Sequence, residues 1–424
     1  MEFKSVNRMK EQVRLALPDS KIAKVFENCF GNTIEKSITV SDKKSAFVIT
    51  GDIPAMWLRD SSCQLRPYLF LCRDDEELSG LIEKVIWRQF DFIAKDPYAN
   101  AFNDGDTGMG HQDDITDMKP FIWERKYEID SLCFPIQLSY LFWKNSGRTA
   151  HFTEEWKKSA EIIMNVFHTE QYHMSRSDYS FERKNCRASD TLPENGKGNP
   201  VKEGIGLVWS GFRPSDDACR YGYLIPSNMF LCVVMEELAE ISTDVIHDQK
   251  LADRAQAFSA EVRAAIERYA VVEEGGKRFY AYEVDGLGNY LIMDDANLPS
   301  LLSTPYFGYA AQENERYHNT AEIILSERNP YYYSGKCLKG IGSPHTPKGY
   351  VWDIGIAMEG LICSTKEEKE RILRILVEND GGTGLMHESI NCDNDRDYTR
   401  EWFSWANAVF TELVMSYLGM ELKK

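Results

Sequence analysis

The chain has 424 residues, 43% of them hydrophobic and 27% charged, the composition of a globular protein long enough for two domains or one large toroid. Its net charge of −17 would repel phosphate backbones, which argues against nucleic acid as substrate or ligand. No stretch approaches the apolar length that spans a bilayer, and the N-terminal MEFKSVNRMKEQVRLALPDS has no apolar run of signal-peptide length. The ten cysteines are scattered singly, without CxxC or framework spacing. Free buried thiols in a reducing cytoplasm are therefore expected, with no membrane association.

In chain order, two kinds of helical segment alternate. Amphipathic ones begin near 19, 75, 151, 248, 313 and 367, as in 151–170, where Trp156, Ile162, Ile163, Val166 and Phe167 recur at helical spacing. Segments apolar nearly all round begin near 60, 128, 224, 303, 350 and 400, as in 226–238 (PSNMFLCVVMEEL) and 402–418 (WFSWANAVFTELVMSYL). A helix apolar on every side must be enclosed by other elements. Six outer and six inner helices are the number that closes a double ring, so the expected fold class is all-α, one domain spanning 1–424. A β element over 37–50 and a hairpin over 277–293, with its Asp-Gly and Gly-Asn steps, are expected as small β decorations.

The unusual stretches all precede inner helices: TGDIPAMWLRD, IWERKYEID, WSGFRPSDD, IMDDANLPSLLSTPY, SPHTPKGYVWD and GGTGLMHESINCDNDRDYTREW. Inner helices of a double ring run parallel, so these loops are expected at one mouth, as on the active face of other closed barrels. That mouth would gather Asp52, Asp60, Glu124, Glu128, Asp130, Asp216, Asp217, Asp294, Asp295 and Glu388. Arg59, Arg125, Arg213 and Arg400, and Trp57, Trp123, Trp209, Trp352 and Trp402, interleave with them. Carboxylates that accept from hydroxyls, arginines that orient them and aromatic rings that stack on C–H faces make a sugar pocket.

Hydrolysis of a glycosidic bond needs two carboxyls, one giving a proton and one activating water or attacking. Asp216 is the candidate acid. It belongs to an adjacent pair with Asp217, three residues after Arg213 and among Trp209, Phe212, Tyr221 and Tyr223, where desolvation and like charge raise a carboxyl pKa while an arginine lowers it. An acid pair that merely caps the following helix is the competing reading. For the partner, Glu388, in a glycine-led loop beside His387, is preferred to Glu401, whose place at a helix start is explained by capping.

Other signals are weaker. Asp113, Asp114 and Asp117 (DDITD) match a magnesium-diphosphate pattern, but lie in loop chemistry without a second motif. The eight histidines show no metal spacing, and Asp104-Gly105-Asp106 reads as a turn. Gly381-Gly382-Thr383-Gly384 lacks the lysine and the preceding strand of a phosphate loop, and is read as the turn before Glu388. No metal and no cofactor are expected.

TGDIPAMWLRDSS, DPYANAFN, WERKYEIDSLCFP, FRPSDDACRYGYLIPSNMF, EVDGLGNYLIMDD, NPYYYSG, GGTGLMHESI and REWFSWANAVF together resemble glycoside hydrolase family 125, the exo-acting α-1,6-mannosidases. The resemblance runs in order from about Gly51 to Leu418. It implies an (α/α)6 barrel, an inverting mechanism without metal, and release of terminal α-1,6-linked mannose from mannose-containing oligosaccharides. The family's general acid, the first aspartate of RPSDD, falls on Asp216, and its general base, the glutamate of MHES, on Glu388. Asp52, Trp57, Arg59, Asp60, Glu128, Asp130, Arg213 and His387 are expected around the terminal mannose. Residues 171–200 resemble the family least. A non-catalytic sugar-binding protein and an (α/α)6 phosphorylase or lyase are the alternatives.

Overall fold

The sequence SWANAVFTELVMSY carries a single charge, and as helix Ser404–Tyr417 it buries twelve of its residues. The computed structural model describes residues 3–18, 20–40 and 44–424. The chain clusters into two compact units, Met1–Arg88 with Leu141–His151 and Pro330–Lys424, and Gln89–Tyr140 with Phe152–Asn329.

In the first unit Ser404–Tyr417 packs against helices Lys21–Asn32, Leu58–Leu65, Asp353–Ile362 and Lys366–Glu378. Apolar residues on all sides explain its enclosure, and the charge it does carry is answered: Arg66 Nε donates to both Glu412 oxygens at 3.0 and 3.1 Å. Buried Asn407 fixes its start. The Asn407 amide donates to Phe403 O, and its oxygen accepts from the Met386 backbone N–H (2.9 Å) and lies 3.0 Å from Cys29 Sγ. One helix residue thereby ties down the segment that ends in Glu388.

In the second unit Ile225–Ile241, apolar on nearly every side, packs along Gln249–Tyr269, whose buried residues Leu251, Ala255, Phe258, Val262 and Ile266 fall on one face. Asn228 plays the same part here. Its oxygen accepts from Val208 N–H and its amide donates to Val208 O, each at 2.9 Å, which anchors the strand-less approach to Trp209–Asp216.

Helices stand at the expected positions along the chain. Those expected near 19, 75, 151, 248, 313 and 367 are Lys21–Asn32, Glu76–Lys95, Glu154–Glu170, Gln249–Tyr269, Glu315–Ile324 and Lys366–Glu378. Ser20, Thr153, Asp248, Asn314 and Thr365 cap five of them with side-chain oxygens. Those expected near 60, 128, 224, 303, 350 and 400 are Leu58–Leu65, Ile129–Ser146, Ile225–Ile241, Thr304–Phe307, Asp353–Ile362 and Ser404–Tyr417. Thr304–Phe307 is only four residues long, because Pro305 can open a helix but Gly308, at φ 90°, ends it at once. Helix Lys4–Ala16, which the alternation omits, buries Val6, Met9 and Val13.

Every strand among the described residues lies in a long segment that precedes one of the six helices expected near 60, 128, 224, 303, 350 and 400. Over 37–50, Ile38–Val40 pairs antiparallel with Ala46–Val48, while 41–43 lie outside the described residues. The expected hairpin 277–293 resolves into two pairings. Lys277–Tyr280 turns back on Val271–Glu274, and the Asp-Gly and Gly-Asn steps join Glu283–Val284 to Tyr290–Leu291, with Tyr223–Leu224 on the other side of Glu283–Val284. Among the described residues no helix is long and apolar enough to cross a membrane.

Asp353 opens the buried helix Asp353–Ile362 and accepts the His387 N–H at 2.7 Å. Burial pushes its pKa from 3.8 up to about 7, against that hydrogen bond. The unfolded chain therefore releases this proton near pH 4 and the folded protein near pH 7, so folding loses stability as pH rises between them. Asp353→Asn keeps an acceptor for His387 and removes the titration. The variant should gain on the parent by a few kcal/mol between pH 4 and pH 7, since each tenfold difference in proton affinity is worth about 1.4 kcal/mol. Denaturant midpoints across that range measure it, and a constant difference between the two proteins would refute the protonated Asp353.

Candidate active site

The sequence PSDD makes a tight loop in the second unit. Asp216 N–H donates to Arg213 O at 2.9 Å, Arg213 N–H donates to Asp217 O at 2.8 Å, and Phe212 and Ala218 pair as an isolated antiparallel bridge. Asp216 sits at φ 64°, a left-handed backbone that aspartate tolerates better than most residues. Lys126 Nζ donates to its carbonyl at 2.7 Å, and Asn100 Nδ2 donates to its Oδ1 at 3.3 Å. Asp216 is half-buried and Asp217 fully buried.

Arg213 does more than flank the acid pair. Its Nε donates to Glu283 Oε1 at 2.6 Å and its guanidinium lies over the Tyr282 ring, 5.5 Å from the centroid. Glu283 Oε2 in turn accepts the N–H groups of Arg220 and Tyr221 at 2.8 and 3.0 Å. Asp294 and Asp295 are buried too. Burial raises Asp294 to about 8 despite the Leu301 and Leu302 N–H groups on its oxygens, and it raises Asp295, with Asp217 adding to the rise and Arg213 opposing it. Glu128 and Asp130 are fully buried at the start of Ile129–Ser146, and Glu128 accepts from Ser131 Oγ at 2.7 Å. Of the aromatics expected around the acid, Trp209 instead stacks on His173 at 3.4 Å and Tyr223 donates to Lys202 O.

In the first unit the residues before Leu58 and those around Arg400 run side by side. Gly51 bridges to Phe403, and a Cβ on Gly51 would stand 2.3 Å from Trp402 O, so no larger residue fits. Asp52 N–H donates to Trp402 O at 3.2 Å. Arg400 then clasps Asp52 through Nε at 2.9 Å and also through Nη2, reaches Thr50 Oγ1 at 3.1 Å, and places Nη1 3.7 Å from Glu388 Oε1. Burial opposes the charge on Arg400, but Asp52, Glu388 and Asp60 outweigh it and hold the guanidinium above its ordinary range. Arg59 and Asp60 form a buried pair at 3.4 Å, with Arg59 over the Trp405 ring. Trp57 is buried beside them in sequence, its Nε1 without a hydrogen-bond partner.

Glu388 is buried, 7% exposed, while Glu401 is exposed. His387 packs flat on Tyr398 at 3.9 Å, donates from Nδ1 to Arg400 O at 3.3 Å, and has Nε2 3.0 Å from Thr383 Oγ1. Its ring is thereby engaged on both nitrogens within the loop, and burial lowers its pKa against the Arg400 and Asp380 carbonyls. The glycine run turns as expected: Gly381, Gly382 and Gly384 all have positive φ, and a Cβ on Gly382 would stand 1.7 Å from the Arg396 guanidinium.

Asp52, Arg400 and Glu388 are thus brought together in one unit, and Asp216, Asn100 and Lys126 in the other. Sequence reasoning missed Asn100, Lys126, Arg183 and Glu283 as site residues. Three of the four lie inside motifs already singled out (DPYANAFN, WERKYEID and, at its first residue, EVDGLGNY), and Arg183 alone carries no such signal. Arg183 grips Asp114 of the DDITD stretch with two bonds, at 2.8 and 2.7 Å, which accounts for that aspartate as an ion-pair partner. Among the described residues no group of acidic, histidine or cysteine side chains is arranged to hold a metal ion.

Comparisons with known proteins agree with one another. The Meiotically up-regulated gene 157 protein of Schizosaccharomyces pombe is 37% identical over 439 residues, covering 98% of this chain and 86% of that protein. A Streptococcus pneumoniae protein is 44% identical with a TM-score of 0.96 over 99% of each chain. It is described as one of a family of widely distributed metal-independent α-mannosidases, in a non-productive complex with α-1,6-mannobiose. A bacterial glucoamylase complexed with acarbose shares the fold at 10% identity, with a TM-score of 0.59 over 99% of this chain and 57% of that one. The family model for metal-independent α-mannosidases matches residues 19–415. The chain belongs to that family, glycoside hydrolase family 125.

Proposed function

We propose that the protein is an inverting exo-α-1,6-mannosidase built as one (α/α)6 catalytic domain over residues 1–424, with Asp216 as general acid and Glu388 as general base. The observation that carries the linkage is the α-1,6-mannobiose bound by the Streptococcus pneumoniae relative, 44% identical over nearly the whole chain. Its description also names the processing of N-linked glycans, so the substrate class is a mannose-containing oligosaccharide. The roles rest on chemistry. Asp216 offers a half-buried carboxyl, bound by Asn100, on a residue whose backbone N–H and carbonyl are tied to Arg213 and Lys126, suited to protonating the leaving glycosidic oxygen. Glu388 offers a buried carboxylate beside the Arg400 guanidinium, suited to taking a proton from water on the opposite face of the sugar. Inversion requires the two carboxyls about 6.5–9.5 Å apart across the bound ring.

Asp52, Trp57, Arg59, Asp60, Glu128, Asp130, Arg213 and His387 complete the proposed mannose shell. His387, with both ring nitrogens engaged, acts there by shaping the loop as well as by lining it. A reducing cytoplasm fits the ten free cysteines, seven of them buried. A sugar-binding protein without catalysis has no use for a strained, half-buried carboxyl such as Asp216, and phosphorolysis finds no phosphate cradle in either loop.

Asp216→Asn should lower kcat/KM on an α-1,6-mannobiose by at least about 10²-fold while sparing an aryl mannoside whose leaving group departs unprotonated. Equal loss on both substrates would remove Asp216 from the acid role. Glu388→Gln should lose both activities, since both need activated water; retained turnover would move the base elsewhere. Proton NMR of the first-formed sugar from α-1,6-mannobiose should show β-mannose. First-formed α-mannose would rule out inversion, and absence of free mannose would return the choice to a binding protein.

A further inference from the structure

Asn100 is fully buried and its orientation is fixed: its Oδ1 accepts the Lys126 backbone N–H at 3.1 Å, so its Nδ2 must face the other way. That one amide nitrogen donates both to Asp216 Oδ1, at 3.3 Å, and to Glu124 Oε2, at 3.1 Å. A carboxyl oxygen that receives an N–H bond is the poorer place for the acid proton, which is left to Oδ2. Glu124 itself is 3% exposed on the strand Ile122–Glu124. Its Oε1 accepts from Arg183 Nη2 at 2.8 Å and lies 3.5 Å from Lys126 Nζ.

We propose that Asn100 and Glu124 are positioning residues for the acid: Asn100 assigns the proton to Oδ2 of Asp216, and the buried charge of Glu124 keeps that proton bound near neutral pH. The inference deepens the reading of Asp216 as general acid and rests on it. Two negative charges served by one amide repel each other, and the repulsion is larger here than in water because Glu124 is buried and Asp216 half-buried. Glu124 stays ionised: burial pushes it up, but Lys126 and Arg183 outweigh burial and the repulsion from Asp216 and hold it below its ordinary value.

Other charged groups face this corner from neighbouring segments. From 111–114 come His111, 3.8 Å from Glu124, and Asp114, which is bound to Arg183. From 183–190 come Arg183 and Asp190, the latter 3.5 Å from Lys126. The acid's own loop adds Arg213, which is engaged by Glu283, and Asp217. Lys126 touches both partners, through the carbonyl of Asp216 and the carboxylate of Glu124. Glu124 and Lys126 should act on the acid in opposite directions.

The test is the pH profile of kcat/KM on α-1,6-mannobiose, whose basic limb reports deprotonation of the acid. Glu124→Gln removes the repelling charge, and the limb should move to lower pH by about one unit. Lys126→Met removes the attracting charge, and the limb should move to higher pH. An aryl mannoside that needs no acid should show neither movement. Opposite shifts confined to the mannobiose support the proposal, and either variant alone gives the sign if the other does not fold. A loss of stability with an unmoved limb, or shifts of the same sign, overturns it. The two readings are separable: if Asp216→Asn hits both substrates alike, the acid assignment has failed, whereas a selective Asp216→Asn with unmoved limbs sinks only the role of Glu124.

Discussion

Backbone polar groups that leave a helix and stay buried must find partners, or each costs about 1–3 kcal/mol. The segments that carry the two carboxyls proposed as acid and base, Asp216 and Glu388, run through such surroundings with little strand structure to supply those partners. Asparagine supplies them. Asn228 gives and takes a bond at Val208, on the way to Asp216, and Asn407 takes the N–H of Met386, on the way to Glu388. Asn100 does the same for Lys126 while reaching Asp216 itself, and Asn32 accepts from both Trp402 Nε1 and Ser404 Oγ. The side chain suits the task because it is both donor and acceptor, short and uncharged. Helices enclosed by apolar packing provide the fixed points from which these amides reach out.

The same enclosure sorts the carboxyls. Where cations arrive, burial is compensated and the charge survives, as for Glu124, which Arg183 and Lys126 hold below its ordinary value. Where only backbone N–H groups arrive, burial prevails and the carboxyl rises toward neutrality, as for Asp294 and Asp353. A glycosidase needs one acid protonated and one carboxylate ionised at the same pH. In the proposed mechanism Asp216 is the protonated acid, and Glu388, beside Arg400, is the ionised base.

How far the sequence could be read follows from the range of each signal. Helices announced themselves because their periodicity is local, and the all-apolar segments were legible as enclosed for the same reason. The short piece Thr304–Phe307 was overestimated, since apolar content spoke louder than Pro305 and Gly308. Pairings at a distance were not legible: nothing in the sequence joins Arg213 to Glu283, 70 residues on, or Arg400 to Asp52, 348 residues back. Trp209 misled in a different way. Its place beside the acid suggested a sugar platform, but a ring that large is satisfied sooner by stacking on His173 in the interior. Asn100 and Lys126, which bind Asp216, lay inside the motifs but had no chemical type that marked them.

Two non-glycine residues hold a left-handed backbone next to the proposed chemistry: Asp216 at φ 64° and Arg400 at φ 45°. Such conformations cost about 1–3 kcal/mol and persist only when their surroundings over-determine them. Both are over-determined. Asp216 is bound through its N–H to Arg213, through its carbonyl to Lys126 and through its carboxyl to Asn100. Arg400 is bound through its carbonyl to His387 and through its guanidinium to Thr50 and Asp52. A relaxed backbone at Asp216 would turn the carboxyl away from Asn100 and, with it, from the charge of Glu124. The strained turn therefore aims the side chain at Asn100 and Glu124, the two residues proposed to position the acid before any substrate arrives.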